Sequence, residues 1–182
     1  MKDTQGLNVL VMGVSGSGKT TIGRMLAQEL AGEFIDGDDL HPQNNIDKMR
    51  QGIPLNDGDR QPWLSKVAEC FATAKRQGKI RVIACSALKR QYRDVLRSGD
   101  SKLCTLFLNP DPQLLKKRML SREHFMPTAL LQSQLDTLES PTGEGLTFEY
   151  QSASGDISAQ HITSAFLSWL LEERIYNGKQ EI

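Results

Sequence analysis

The sequence predicts an α/β chain: a five-stranded parallel sheet with helices on both faces. Three observations carry that expectation. Strand-like and helix-like segments alternate along the chain. The runs NVLVM, VIAC and CTLFL are almost continuously apolar, as strands covered on both faces are. The first of these runs leads into a glycine-rich stretch, GVSGSGKTT at 13–21, where a strand must give way to a helix.

Strands are expected at 7–12, 33–36, 80–85, 103–108 and 146–150. Ile22, Met25, Leu26 and Leu30 fall on one face of a 3.6-residue period after the glycine stretch, so a helix there packs its apolar stripe on the sheet. Asp111 and Pro112 follow the fourth strand as a helix cap and first helical position. The segment ESPTGEG at 139–145 reads as an exposed turn. Ile162, Ala165, Phe166, Trp169 and Leu170 give the last helix its buried stripe. No repeat, low-complexity run or linker divides the chain, and its 182 residues are expected to form one domain, 1–182.

Composition excludes several functions. Lys+Arg and Asp+Glu are equal at 22 each, so there is no basic surplus to track a nucleic-acid backbone or an anionic membrane. Any polyanion bound must be small and locally recognised. The apolar run LNVLVMGV is far shorter than the roughly 20 residues of a membrane span, and no signal-peptide pattern precedes it. A soluble, cytoplasmic protein is expected. Cys70, Cys85 and Cys104 include no CxxC pair and read as free thiols, not as a disulfide framework or a zinc site.

Gly13, Gly18, Lys19 and Thr20 match G-x-x-x-x-G-K-[ST]. Glycines let successive backbone N–H groups converge on phosphate oxygens with no Cβ in the way. The cradle spans Gly13, Val14, Ser15, Gly16, Ser17, Gly18, Lys19, Thr20 and Thr21. Lys19 reaches the β/γ-phosphates of ATP, the Thr20 hydroxyl ligates Mg²⁺, and the following helix adds its N-terminal dipole. The second strand ends FIDGDDLHP. Asp36 and Asp38, two apart, are expected on one face of an extended segment at the carboxyl end of the strand. They are read as a Mg²⁺ site at Asp36 and a hydroxyl-activating base at Asp38, with N-capping ahead of LHPQNNIDKM as the structural alternative. Asp39 points the other way. The third strand ends VIACSALKR, with no metal-orienting Asp, and guanine-reading sequences are lacking. These absences favour a small-molecule kinase.

The stretches GVSGSGKTTIG, FIDGDDLHPQNNIDKMRQGIPLNDGDRQPWL, CSALKRQYRDVLR and HFMPTALLQSQLDTLESP together resemble the gluconokinase family of P-loop kinases, thermoresistant type, related in fold to shikimate and adenylate kinases. The likeness covers residues 9–141. It implies a three-layer P-loop kinase fold with strand order 2-3-1-4-5, a helical segment at about 40–64 covering the substrate, and a small lid near 119–128. It also implies phosphorylation of D-gluconate on its 6-hydroxyl with ATP and Mg²⁺, and a homodimer. A kinase for another hydroxy acid such as shikimate, or an ATP-binding regulatory module, stands as the alternative.

A polyol with one carboxylate needs a cation for the acid end, hydrogen-bonding groups for the hydroxyls and a base near the reacting alcohol. Arg60 in DGDRQPWL suits a bidentate grip on the carboxylate, a solvated loop arginine being the alternative. His41 and Lys89 are placed at the hydroxyls or the phosphoryl group, with a helix-capping or surface role as the alternative for His41. Gln134 joins them from LLQSQ, while Trp63 is assigned to the core. Arg118 and Arg122, four apart, share a helix face and are expected over the nucleotide, with exposed helix charges as the alternative. The chain departs from the family in lacking a glycine before His124 and Phe125, and in reading LNPDPQLL after strand four.

Overall fold

Buried strands end at one sheet edge, and that edge positions the site. The computed structural model describes residues 6–120, 128–152 and 158–177. In chain order it contains β1 (Asn8–Met12), α1 (Lys19–Glu29), β2 (Glu33–Asp36), a 3₁₀ turn (Gly37–Leu40), α2 (Gln43–Arg50) and α3 (Asp57–Arg76). There follow β3 (Arg81–Ala84), α4 (Arg90–Gly99), β4 (Cys104–Pro110), α5 (Pro112–Leu120), α6 (Thr128–Thr137), β5 (Leu146–Ser152) and α7 (Ala159–Glu172). The sheet order is β2-β3-β1-β4-β5 with every pairing parallel, as the resemblance implied.

Alternate residues of β1 serve the two faces. Val9 and Val11 pack with Ile22, Leu26, Phe166 and Leu170 beneath α1 and α7. Leu10 and Met12 pack with Val67, Phe71 and Leu96 beneath α3 and α4. Each fully buried side chain of this size contributes roughly 1.5–3 kcal/mol, which fixes the register of both layers. The strands differ from expectation at their ends. β4 and β5 each run two residues further, because they stay in register as far as Pro110 opposite Ser152. Asp111 caps α5 by accepting from Gln113 N at 2.7 Å, with Pro112 first in the helix. Cys70, Cys85 and Cys104 are free thiols. Of the lid expected near 119–128, residues 121–127 lie outside the described residues.

The turn at 139–145 is not simply exposed. Glu144 turns inward, where its carboxylate accepts from Arg93 Nε and Nη2 at 2.8 and 2.7 Å and from Arg97 Nη2 at 2.8 Å. The Arg93 side chain is 1% exposed and that of Glu144 10%. Hydrogen bonds from Arg93, then from Arg97, hold the Glu144 carboxyl down at about 2. A depressed carboxyl pKa stabilises the fold above the unfolded value, and that contribution fades as pH falls through the folded value. Replacing Glu144 by Ala strands Arg93 as a buried charge and is expected to lower the unfolding free energy by about 3 kcal/mol at neutral pH in urea titrations. In Glu144→Gln, stability is expected to fall less steeply than in the wild type between about pH 5 and pH 2.

Candidate active site

The loop after β1 wraps tightly because its glycines take left-handed backbone angles. Gly13 has φ 149°, and a Cβ there would stand 2.6 Å from Leu108 O, so no other residue seats the loop this close to β4. Gly18 is the N-cap of α1, and no side chain caps that helix, which leaves its first N–H groups open to an anion. Lys19 Nζ donates to Val14 O at 3.0 Å, folded back over the loop. Burial lowers the Lys19 pKa, while the carboxylates of Asp38 and Asp36 work against that shift.

Thr20 Oγ1 donates to Asp36 Oδ2 at 3.0 Å. Asp36 Oδ1 accepts from Asp38 N at 3.2 Å and so caps the 3₁₀ turn. The expectation that Asp36 and Asp38 share a face of an extended chain is therefore corrected: the chain coils at Gly37. A Cβ on Gly37 would stand 2.6 Å from Ala84 O, so the glycine permits this close passage over β3. The capping alternative holds for Asp36 at this turn and not at α2, whose N-cap position is Pro42 with no side-chain bond. Both carboxylates nonetheless line one cleft of about 230 Å³ with Ser15, Gly16, Lys19, Thr20 and Thr21. Desolvation and then the Asp36 charge raise the Asp38 pKa, against the pull of Lys19.

The 3₁₀ turn, α2 and the start of α3 build a neighbouring wall. The His41 ring stacks on Trp63 with centroids 4.2 Å apart and planes 15° from parallel. Trp63 is in the core, as expected, and its Nε1 donates to Gly37 O at 2.7 Å. Arg60 Nη1 donates to Leu55 O, and its guanidinium lies 5.7 Å from the Tyr92 ring centroid. Lys89 Nζ donates to both oxygens of Asp57, at 2.9 and 3.1 Å, and lies 5.6 Å from the same ring. Asp57 also accepts from Gln91 Nε2 and from the Tyr92 hydroxyl. Those bonds, Tyr92 first and Lys89 second, hold the Asp57 carboxyl at about 2. Asp57, Tyr92 and Asn45 belong to this wall although no sequence reading singled them out. Asp57 lies in DGDR and Tyr92 in RQYRD, both inside stretches quoted above.

A family model described as shikimate kinase matches residues 15–164. The thermosensitive gluconokinase of Escherichia coli K12 is 49% identical over 140 residues, 76% of this chain and 75% of that protein. The thermoresistant gluconokinase of the same organism is 44% identical over 133 residues, 72% and 76% of the two chains. The crystal structure of a gluconokinase from Sinorhizobium meliloti 1021 superposes with TM-score 0.82 at 43% identity, covering 94% of this chain and 97% of that one. The chain belongs to the gluconokinase family of P-loop kinases.

In this gluconokinase-family chain, α6 returns to the phosphate loop. Gln134 Oε1 accepts from Ser15 N at 2.7 Å, so Gln134 sits at the loop rather than with Arg60 and Lys89. Arg118 Nη1 approaches Gly16 O at 3.5 Å. With Ser17, Asn109, Tyr150 and Ser152, Arg118 also lines a small pocket beyond the loop. Arg122 lies outside the described residues, as do His124 and Phe125. The Thr20 hydroxyl and the Asp36 carboxylate, hard oxygen donors 3.0 Å apart beside the loop, fit Mg²⁺, which takes few protein ligands and keeps its remaining positions for water and phosphate. Substituting Gly37 by Ala drives a Cβ into the β3 backbone and is expected to cost about 1–3 kcal/mol, read as a lowered thermal midpoint.

Proposed function

We propose that the chain transfers the γ-phosphoryl group of ATP to the 6-hydroxyl of D-gluconate, giving 6-phospho-D-gluconate and ADP. The observation that carries this reading is one cleft in which Lys19, Thr20 and Asp36 meet Asp38. Beside it, Arg60 and Lys89 both lie over Tyr92. The 49% identity to a curated gluconokinase supports the choice of acceptor.

In this mechanism the glycine loop and the start of α1 hold the phosphates, and Lys19 leaves Val14 O for the β/γ-oxygens. Mg²⁺, held by Thr20 and Asp36, supplies neutralisation of phosphate charge when bound. Asp38 takes the proton of the 6-hydroxyl as its oxygen bonds to phosphorus. The bond from phosphorus to the β,γ-bridging oxygen breaks, and the electron pair leaves with ADP. Desolvation of Asp38 makes it a better base than an ordinary carboxylate. Arg60 binds the gluconate carboxylate, and His41 and Lys89 reach its hydroxyls or the transferring phosphoryl group. Gln134 steadies the loop from which the phosphoryl group leaves. Arg118 and, from a lid at about 119–128, Arg122 cover the nucleotide. The segment at about 40–64 covers the acceptor. The whole chain, 1–182, acts as one domain, in a cytoplasmic homodimer.

The description of the matching family model makes shikimate the acceptor to compare. In a coupled ADP-release assay, turnover is expected with gluconate and not with shikimate. Asp38→Asn is expected to lower kcat by a factor on the order of 10²–10⁴ while ATP binding persists. Undiminished turnover in that variant would remove Asp38 from the role of base. Lys19→Ala is expected to weaken ATP binding and turnover together, read by titration calorimetry and the same assay.

A further inference from the structure

Helix α2 buries a single residue, and that residue is polar: Asn45, 0% exposed. A surface helix ordinarily buries an apolar stripe, and a buried amide is costly unless its hydrogen bonds are made. The Asn45 amide nitrogen makes two. It donates to Asp59 O at 2.8 Å and faces His41 Nδ1 at 3.2 Å. A backbone carbonyl only accepts, so the NH₂ end of the amide must be the end at Asp59. The same NH₂ group then points its second hydrogen at His41, and Nδ1 has to be the acceptor. A neutral ring that accepts at Nδ1 carries its proton on Nε2. Burial first, and the Arg60 charge second, disfavour the imidazolium.

The rest of the ring is held as firmly. Trp63 lies flat against its face and is itself pinned through Nε1 to Gly37 O. Asn45 Oδ1 is left without a partner among the described residues, a cost that a leucine at this position would avoid. Packing alone therefore does not explain the asparagine. We propose that Asn45 is a positioning residue that fixes His41 as the Nε2–H tautomer, so that His41 meets the acceptor as a hydrogen-bond donor to one of its oxygens. His41 is thereby excluded as a general base at Nδ1, which leaves proton removal to Asp38. The use of the N–H on the acceptor rests on the proposed function; the tautomer does not.

The test has a spectroscopic arm and a kinetic arm. In ¹⁵N-labelled protein without substrate, two-bond ¹H–¹⁵N correlations of the His41 ring, assigned by their loss in His41→Gln, are expected to show Nε2 protonated and Nδ1 bare. In Asn45→Asp, read at a pH above the ring's own titration, the carboxylate accepts where the amide donated, so the proton is expected to move to Nδ1 and leave Nε2 bare. In the same variant KM for gluconate is expected to rise about tenfold, one hydrogen bond's worth, with kcat and KM for ATP unchanged. A wild-type ring protonated on Nδ1 overturns the proposal, and so does an Asn45→Asp variant with unaltered ring signals and unaltered KM. If that variant does not fold, the wild-type spectrum still decides. If the chain phosphorylates no gluconate, the functional reading fails while the ring pattern still decides the tautomer.

Discussion

A small apolar contact under the phosphate loop is what the rest of the site depends on. Val14, Leu88, Leu115 and Leu131 are buried against one another, and they come from four separate segments. Each carries a polar group of the site beside it. Val14 precedes Ser15 and supplies the carbonyl that holds Lys19. Leu88 precedes Lys89, Leu115 lies one helical turn before Arg118, and Leu131 lies three residues before Gln134. Burial of one leucine is worth roughly 1.5–3 kcal/mol. That is enough to offset the left-handed backbone at Ala87, φ 45°, whose cost is about 1–2 kcal/mol. Arg93 secures the same bend by donating to Ala87 O and Leu88 O at 2.8 and 3.0 Å. Donor and acceptor sides are thus tied through apolar packing, and the charged groups inherit their positions from it.

Similar carboxylates are then set to different tasks by their surroundings. Asp57 is answered by Lys89, Gln91 and Tyr92, and its pKa falls to about 2. A carboxylate so well satisfied holds protons poorly and serves to orient its donors. Asp38 lies in a desolvated cleft beside the like charge of Asp36, and its pKa rises. The contrast separates a carboxylate satisfied by its neighbours from one desolvated beside a like charge, the environment that the proposed base requires.

Local pattern carried much of this architecture into the sequence. The five strands, the glycine turn, the Asp111–Pro112 helix start and the apolar stripes of α1 and α7 each depend on residues within a few positions of one another. What stayed illegible was set by distant contacts. Gln134 meets Ser15 across 119 positions, Arg93 meets Glu144 across 51, and Lys89 meets Asp57 across 32. No periodicity encodes such pairs. The Asp36–Asp38 geometry departs from the expected one for a different reason: two residues apart means one face only while the backbone stays extended, and Gly37 lets it coil against Ala84.

The pairing of Lys89 with Asp57 also bears on how an acidic acceptor is held. A carboxylate arriving at Lys89 exchanges one ion pair for another, so its net gain is only the difference between the two. Arg60, by contrast, donates to the neutral carbonyl of Leu55 and lies over Tyr92. A carboxylate at Arg60 replaces a neutral partner with a charged one, and charge-assisted bonds are roughly twice as strong as neutral ones. Of the two cations, Arg60 therefore gains more from an incoming carboxylate than Lys89 does.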